Sequence, residues 1–224
     1  MSRLFVVMGT LLIAGAVAPH PASAARTDRS AHVVVAIGDS ITYGKGATDV
    51  RTRGWVPLLA RRTRCEITNA GVIGNSLVTP DSSGLIPARF GRDVIDTHAG
   101  VVLLGGGRND LGKVASWRDI AQAQLGLARK AREAGLDWWI ETVTPTVRPD
   151  GAAADHSDPG EQQRLALNAF YRRDVPADHL LDFDRVLSGP DGWLPGADSA
   201  DGLHLSDAAD STLAAYVASR HVCA

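Results

Sequence analysis

Cysteine is scarce in this sequence: two in 224 residues, Cys65 and Cys223, neither in a C-x-x-C pair nor at the spacing of a metal site. H-E-x-x-H is absent too, so no metal and no cofactor are expected. Charge of one sign is also lacking. With 23 Lys and Arg against 25 Asp and Glu, the net charge of −2 points to no nucleic-acid partner. The densest basic stretch (Arg51, Arg53, Arg61, Arg62 and Arg64) brackets Trp55-Val56-Pro57-Leu58-Leu59 and reads as the wet face of a helix. Beyond the N-terminus no apolar run is long enough to span a bilayer, so stable membrane insertion is not expected. Internal repeats and low-complexity blocks are missing as well. What remains is an ordinary globular composition, 45% hydrophobic and 21% charged.

The first residues stand apart. Met1-Ser2-Arg3 is a short basic start, residues 4–17 are apolar, and Ala22-Ser23-Ala24 closes an A-x-A pattern. The apolar run is shorter than the ~20 residues a spanning helix needs. Residues 1–24 are therefore expected to be a signal peptide cleaved near Ala24, and the protein to be secreted; the rival reading is an uncleaved anchor. Residues 25–224 make one domain of ordinary size. An exported chain with two cysteines is allowed a disulfide.

After a polar lead-in, apolar runs of strand length alternate with segments of helical period. Strands are expected at 33–37, 66–70, 101–104, 138–143 and 180–183, short and without polar alternation, as strands covered on both faces should be. Ser116-Trp117-Arg118-Asp119 resembles a capping box opening a helix to about Ala134, with Gly135 as its stop. Asp158-Pro159 opens a second helix, and Ser206-Asp207 a last one reaching about Arg220. This β-α-β-α order predicts a single α/β domain, a parallel sheet between two helix layers.

In such a sheet, ligands bind beyond the carboxyl ends of the strands. Gly38-Asp39-Ser40 follows the first strand, and Asn69-Ala70-Gly71-Val72-Ile73-Gly74-Asn75 closes the second. Gly105-Gly106-Gly107-Arg108-Asn109-Asp110 follows the third, and Asp201-Gly202-Leu203-His204 precedes the last helix. Each alone has a bland reading. The first is a turn with a helix cap, Gly71 a positive-φ glycine, Asn109-Asp110 an Asx turn, and His204 a structural histidine. Together they would meet at one edge.

These four blocks resemble the SGNH hydrolases, also called the GDSL esterase/lipase family, from Val33 to Val217. The family's namesake Ser, Gly, Asn and His fall on Ser40, Gly71, Asn109 and His204. The resemblance implies a flavodoxin-like three-layer α/β/α sandwich with five parallel strands. It further implies an oxyanion hole from the N–H groups of Ser40 and Gly71 and the Asn109 amide. Three departures stand out: Arg108 where a small residue is common, Leu205-Ser206 where proline is frequent, and Ala209 where glycine is frequent.

The chemistry of the residues agrees. A serine hydroxyl needs a base within hydrogen-bond reach, and His204 is the expected base for Ser40. Asp201, three residues earlier, is expected to hold the imidazole in one tautomer. The G-x-S-x-G elbow of the α/β-hydrolase fold is absent. Asp39 and Asp110 read as braces for their loops, and Trp138-Trp139 as core. Trp193 either stacks on a sugar or pins its loop. His32, His98, His156, His179 and His221 read as surface or structural, and Asp182 and Asp184 lack calcium spacing. Residues 147–159 offer no apolar lid, which favours small, short-acyl or acetylated carbohydrate esters as substrates. A lipase, phospholipase or acyltransferase would use the same residues, and a binding module would lack one of them. Cys65 begins the second strand and Cys223 follows the last helix, both on the edge away from the chemistry, so a Cys65–Cys223 bridge is expected.

Overall fold

The structure, a computed structural model, describes residues 33–80, 82–113, 116–151 and 156–222. The expected signal peptide at 1–24 and the cysteine expected to pair with Cys65, Cys223, lie outside the described residues. Five strands form one sheet: β1 (Val33–Gly38), β2 (Glu66–Gly71), β3 (Val101–Leu104), β4 (Asp137–Glu141) and β5 (Leu180–Leu181). Their order is β2-β1-β3-β4-β5 and every pairing is parallel. This is the flavodoxin-like arrangement.

The helices are α1 (Ser40–Tyr43), α2 (Trp55–Arg62), α3 (Ile86–Asp93), α4 (Trp117–Glu133), α5 (Pro159–Asp174), α6 (Phe183–Leu187) and α7 (Asp207–Ser219). Side-chain alternation along the strands sorts them into two layers. Val35, Ile37, Val102, Leu104 and Ile140 face Phe90, Ile120, Leu127, Leu167 and Tyr171 on α3, α4 and α5. Val34, Ala36, Val101, Leu103 and Leu181 face the other way, onto Trp55, Leu59, Phe183, Leu213 and Val217 on α2, α6 and α7. Both faces of β1 and β3 are therefore dry, which is why these strands read as unbroken apolar runs. β2 differs. As an edge strand it leaves Glu66, Asn69 and Thr68 in contact with water.

The helix ends follow local chemistry. Ser116 and Asp119 form a reciprocal capping box on α4, Asp158 accepts from Gly160 and Glu161 at the start of α5, and Ser206 caps α7. β4 ends at Glu141, two residues earlier than expected. β5 stops after two residues because Asp182 turns the chain into α6 by accepting from Arg185 N–H. Asp182 and Asp184 are ion-paired rather than free: Arg172 donates to them at 2.7 and 2.6 Å, and buried Arg164 bonds both Glu161 and Asp184. Trp139 lies in the core, whereas half-buried Trp138 stacks on His179 with ring centroids 4.3 Å apart. No described helix is long and apolar enough to cross a membrane.

Candidate active site

From β1 the chain crosses to β2 on one side and then to β3 on the other, so the strand order reverses between β1 and β3. The crevice at such a reversal is where open α/β sheets bind ligands. Ser40 follows β1 and Asn109 follows β3, so the two flank it.

Asp39 closes the turn out of β1. Its side chain accepts from Ile41 N–H at 2.9 Å and caps α1, leaving Ser40 as the first helical residue, buried with its own N–H uncommitted among the described residues. His204, 164 residues further on, is buried beside it. Its Nε2 lies 3.0 Å from Ser40 Oγ and its Nδ1 2.7 Å from Asp201 Oδ2. The other carboxylate oxygen of Asp201 accepts from the backbone N–H groups of His204 at 2.8 Å and Leu203 at 3.1 Å. Those bonds, that of the His204 N–H foremost, pull the Asp201 carboxyl down to about 2. An anionic acceptor on Nδ1 keeps the proton there and turns the lone pair of Nε2 to the hydroxyl. The structure thus gathers Ser40, Asp201 and His204 into one hydrogen-bonded chain.

The expected oxyanion donors need one correction. The N–H of Gly71 donates to Asn69 Oδ1 at 2.9 Å, so it is already committed to its own strand end. What this position demands is close packing: a Cβ there would lie 2.2 Å from the backbone nitrogen of Tyr43, so only glycine lets β2 abut α1. Three residues on, Gly74 has φ of 83°, in the region glycine tolerates, and its N–H has no acceptor among the described residues. The Asn109 amide donates to the carbonyl of the next residue, Asn75, at 2.9 Å. Gly74 was visible in the Asn-Ala-Gly-Val-Ile-Gly block, but sequence could not say which glycine had a spare N–H.

Asp110 braces its neighbour's loop rather than its own. It is fully buried and accepts from the N–H groups of Leu77, Val78 and Thr79 at 2.7 to 2.9 Å, tying the loop after β2 to the one after β3. Arg108 turns inward and donates to the Thr144 carbonyl; burial lowers its guanidinium to about 10. Burial raises the carboxyls of Asp39 and, more strongly, Glu141, whose charges also oppose each other. Trp193 is 3% exposed, with one face covered by His156 stacked 4.2 Å away, so it pins its loop and offers no platform to a sugar. Among the described residues no three His, Cys, Asp or Glu side chains gather as they would around a metal ion.

A five-stranded parallel sheet with a hydroxyl–imidazole–carboxylate chain at its switch point has the apparatus of a serine hydrolase, and the family match makes the class that of the carboxylic ester hydrolases. Within it, the chain belongs to the GDSL-like Lipase/Acylhydrolase family, whose model matches residues 36–210. Solved structures agree on the fold. A protein of the G-D-S-L lipolytic family from Desulfitobacterium hafniense DCB-2 is 20% identical with a TM-score of 0.68, the match covering 84% of this chain and 99% of that one. The acetyl xylan esterase AlAXEase is 20% identical at a TM-score of 0.65, covering 84% of this chain and 98% of the other. Axe2, an acetylxylan esterase from Geobacillus stearothermophilus, is 17% identical at 0.65, with 85% and 94% covered. No curated protein sequence matches the chain.

Proposed function

We propose that this protein is a secreted serine esterase that cleaves short-acyl esters, acetylated carbohydrate among them, through an acyl-enzyme on Ser40. Ser40 Oγ attacks the ester carbonyl while His204 Nε2 takes its proton, and Asp201 stabilises the imidazolium that forms. The charge that develops on the carbonyl oxygen is met by the N–H of Ser40 and the amide of Asn109. The N–H of Gly74 replaces that of Gly71 as third donor. His204 then returns the proton to the departing alcohol, and water repeats the sequence to free the acid. The observation behind this reading is the 3.0 Å approach of Ser40 Oγ and His204 Nε2 across 164 residues.

The preference for small acyl groups draws on the scarcity of large apolar residues in the sequence at 147–159 and on the acetyl xylan esterases among similar folds. One observation favours longer chains instead. Among the described residues the exposed large apolar side chains are Tyr43, Val72 and Ile73, and all belong to α1 or the loop after β2, beside Ser40. A series of p-nitrophenyl esters of rising acyl length, run beside acetylated xylan, separates the two. Fastest turnover of acetate supports the short-acyl reading, and an optimum at long chains replaces it with the lipase reading. Labelling of Ser40 by a fluorophosphonate, lost in Ser40→Ala, tests the nucleophile. Secretion rests on the basic-then-apolar start, and cleavage near Ala24 is checked by N-terminal sequencing of exported protein.

A further inference from the structure

Arg89, on α3, lies outside the four blocks that carry the site. Its side chain is 10% exposed and its guanidinium reaches three separate elements. It donates at 2.7 Å to the Gly38 carbonyl, which ends β1 just before Asp39-Ser40. At 2.7 Å it also donates to the Ala70 carbonyl near the end of β2, and at 2.6 Å to Asn75 Oδ1 in the loop beyond. A fourth bond, 2.9 Å to Asp93 one turn along α3, holds the fork in place.

Asn75 is the member that matters for chemistry. It is fully buried and all its polar side-chain atoms are committed: Oδ1 to Arg89, Nδ2 to the carbonyls of Ser83 at 2.7 Å and Gly84 at 2.8 Å. Its main-chain carbonyl accepts from Asn109 Nδ2. One guanidinium therefore fixes the strand end that presents Ser40. It also fixes the residue that aims the Asn109 amide and follows Gly74. All three proposed oxyanion donors hang from this fork, yet Arg89 touches none of them.

We infer that Arg89 is a positioning residue for ester hydrolysis, setting the mutual geometry of the oxyanion donors through Gly38 and Asn75. The inference rests on the esterase reading above. Donors that act on charge formed only in the transition state alter kcat when misaligned and leave ground-state binding nearly unchanged. A lysine can replace the charge but offers a single donor group where the fork serves four acceptors.

The test compares the parent with Arg89→Met and Arg89→Lys. It measures kcat and KM on p-nitrophenyl acetate, inhibition by a trifluoromethyl ketone whose adduct places an oxyanion in the hole, and melting temperature. The expected result is a fall in kcat of about 10- to 100-fold for Arg89→Met, with KM nearly constant and ketone affinity falling in step. Arg89→Lys should lie between Met and the parent, which keeps the test informative if Met folds poorly. Parent-like kcat and ketone affinity in Arg89→Lys and Arg89→Met would overturn the inference. So would variants that lose only melting temperature while ketone affinity holds. A parent that neither hydrolyses the ester nor reacts with a fluorophosphonate overturns the esterase reading itself, a result distinct from an active parent with indifferent variants.

Discussion

At the scale of the residue, the site depends on which donors are free and which are spent. Asn109 gives one amide hydrogen to the Asn75 carbonyl, and the other is the one proposed for the oxyanion. Asn109→Ala is expected to lower kcat by about 10²–10³ with little change in KM, read from steady-state kinetics. Asp201→Asn should cost more, about 10⁴ in kcat, because an amide on Nδ1 no longer selects the tautomer that leaves Nε2 free for Ser40. Gly71 and Gly74 separate by the same logic. An alanine at Gly71 meets the backbone of Tyr43 at 2.2 Å and disturbs the junction of β2 with α1, whereas at Gly74 it is strained by φ of 83°. Sequence placed both glycines in the right block. Only the Asn69 side chain, folded back onto Gly71 N–H, removed that donor from the count.

At the scale of the element, much was legible and the reasons are local. The capping box of α4, the Asp158 cap and proline of α5 and the Ser206 cap of α7 are short-range hydrogen bonds written in three or four consecutive residues. The strands β1 and β3 were legible because a run of four or more buried apolar residues fits a covered strand. α3 and α6 were not anticipated, being only eight and five residues long and held in place by packing against the sheet and by ion pairs from α5. Arg89 was hidden with α3. The loops after β2 and β3 are joined by Asp110, which satisfies the buried N–H of Leu77 and the half-buried N–H groups of Val78 and Thr79 at once. Asp110→Ala should destabilise the fold by about 1–3 kcal/mol, the cost of orphaning the buried Leu77 donor, while the half-buried donors of Val78 and Thr79 can turn to water. Urea denaturation measures this, and kcat should fall with it because the loop carries Gly74 and Asn75.

At the scale of the whole molecule, a buried carboxyl couples stability to pH. Asp210 on α7 is fully buried and accepts from Trp55 N–H at 3.0 Å, serving as the side-chain cap that Gly54 cannot give α2. Burial, with the nearby charge of Asp207 adding to it, raises its carboxyl from 3.8 to about 7. The folded state therefore holds this proton more tightly than the unfolded chain. Its contribution to stability is complete below about pH 3.8 and disappears as the pH rises through about 7. Asp210→Asn removes that dependence, so its melting temperature relative to the parent should climb from acid to mildly alkaline buffer. The opposite trend would sink the assignment. The expected Cys65–Cys223 bridge also belongs to this scale. Cys65 and Val222 lie in the same apolar cluster, and no described cysteine is free. If the bridge forms, reduction should lower stability by about 3–5 kcal/mol, and alkylation before reduction should label neither thiol.

The sequence alone determined the α/β class, the cap positions and the four reactive blocks, because period, capping and turn chemistry are short-range and each is encoded within a few adjacent residues. Tertiary structure decided the rest: which glycine kept a usable N–H, where Arg108 and Trp193 turned, and that Arg89 gathers three strand and loop ends. Apart from Gly71, whose N–H is taken by Asn69 two residues away, those outcomes depend on partners 19 to 51 residues distant in the chain, as Ala70 and Gly38 are from Arg89, and such partners meet only once the sheet has brought them together.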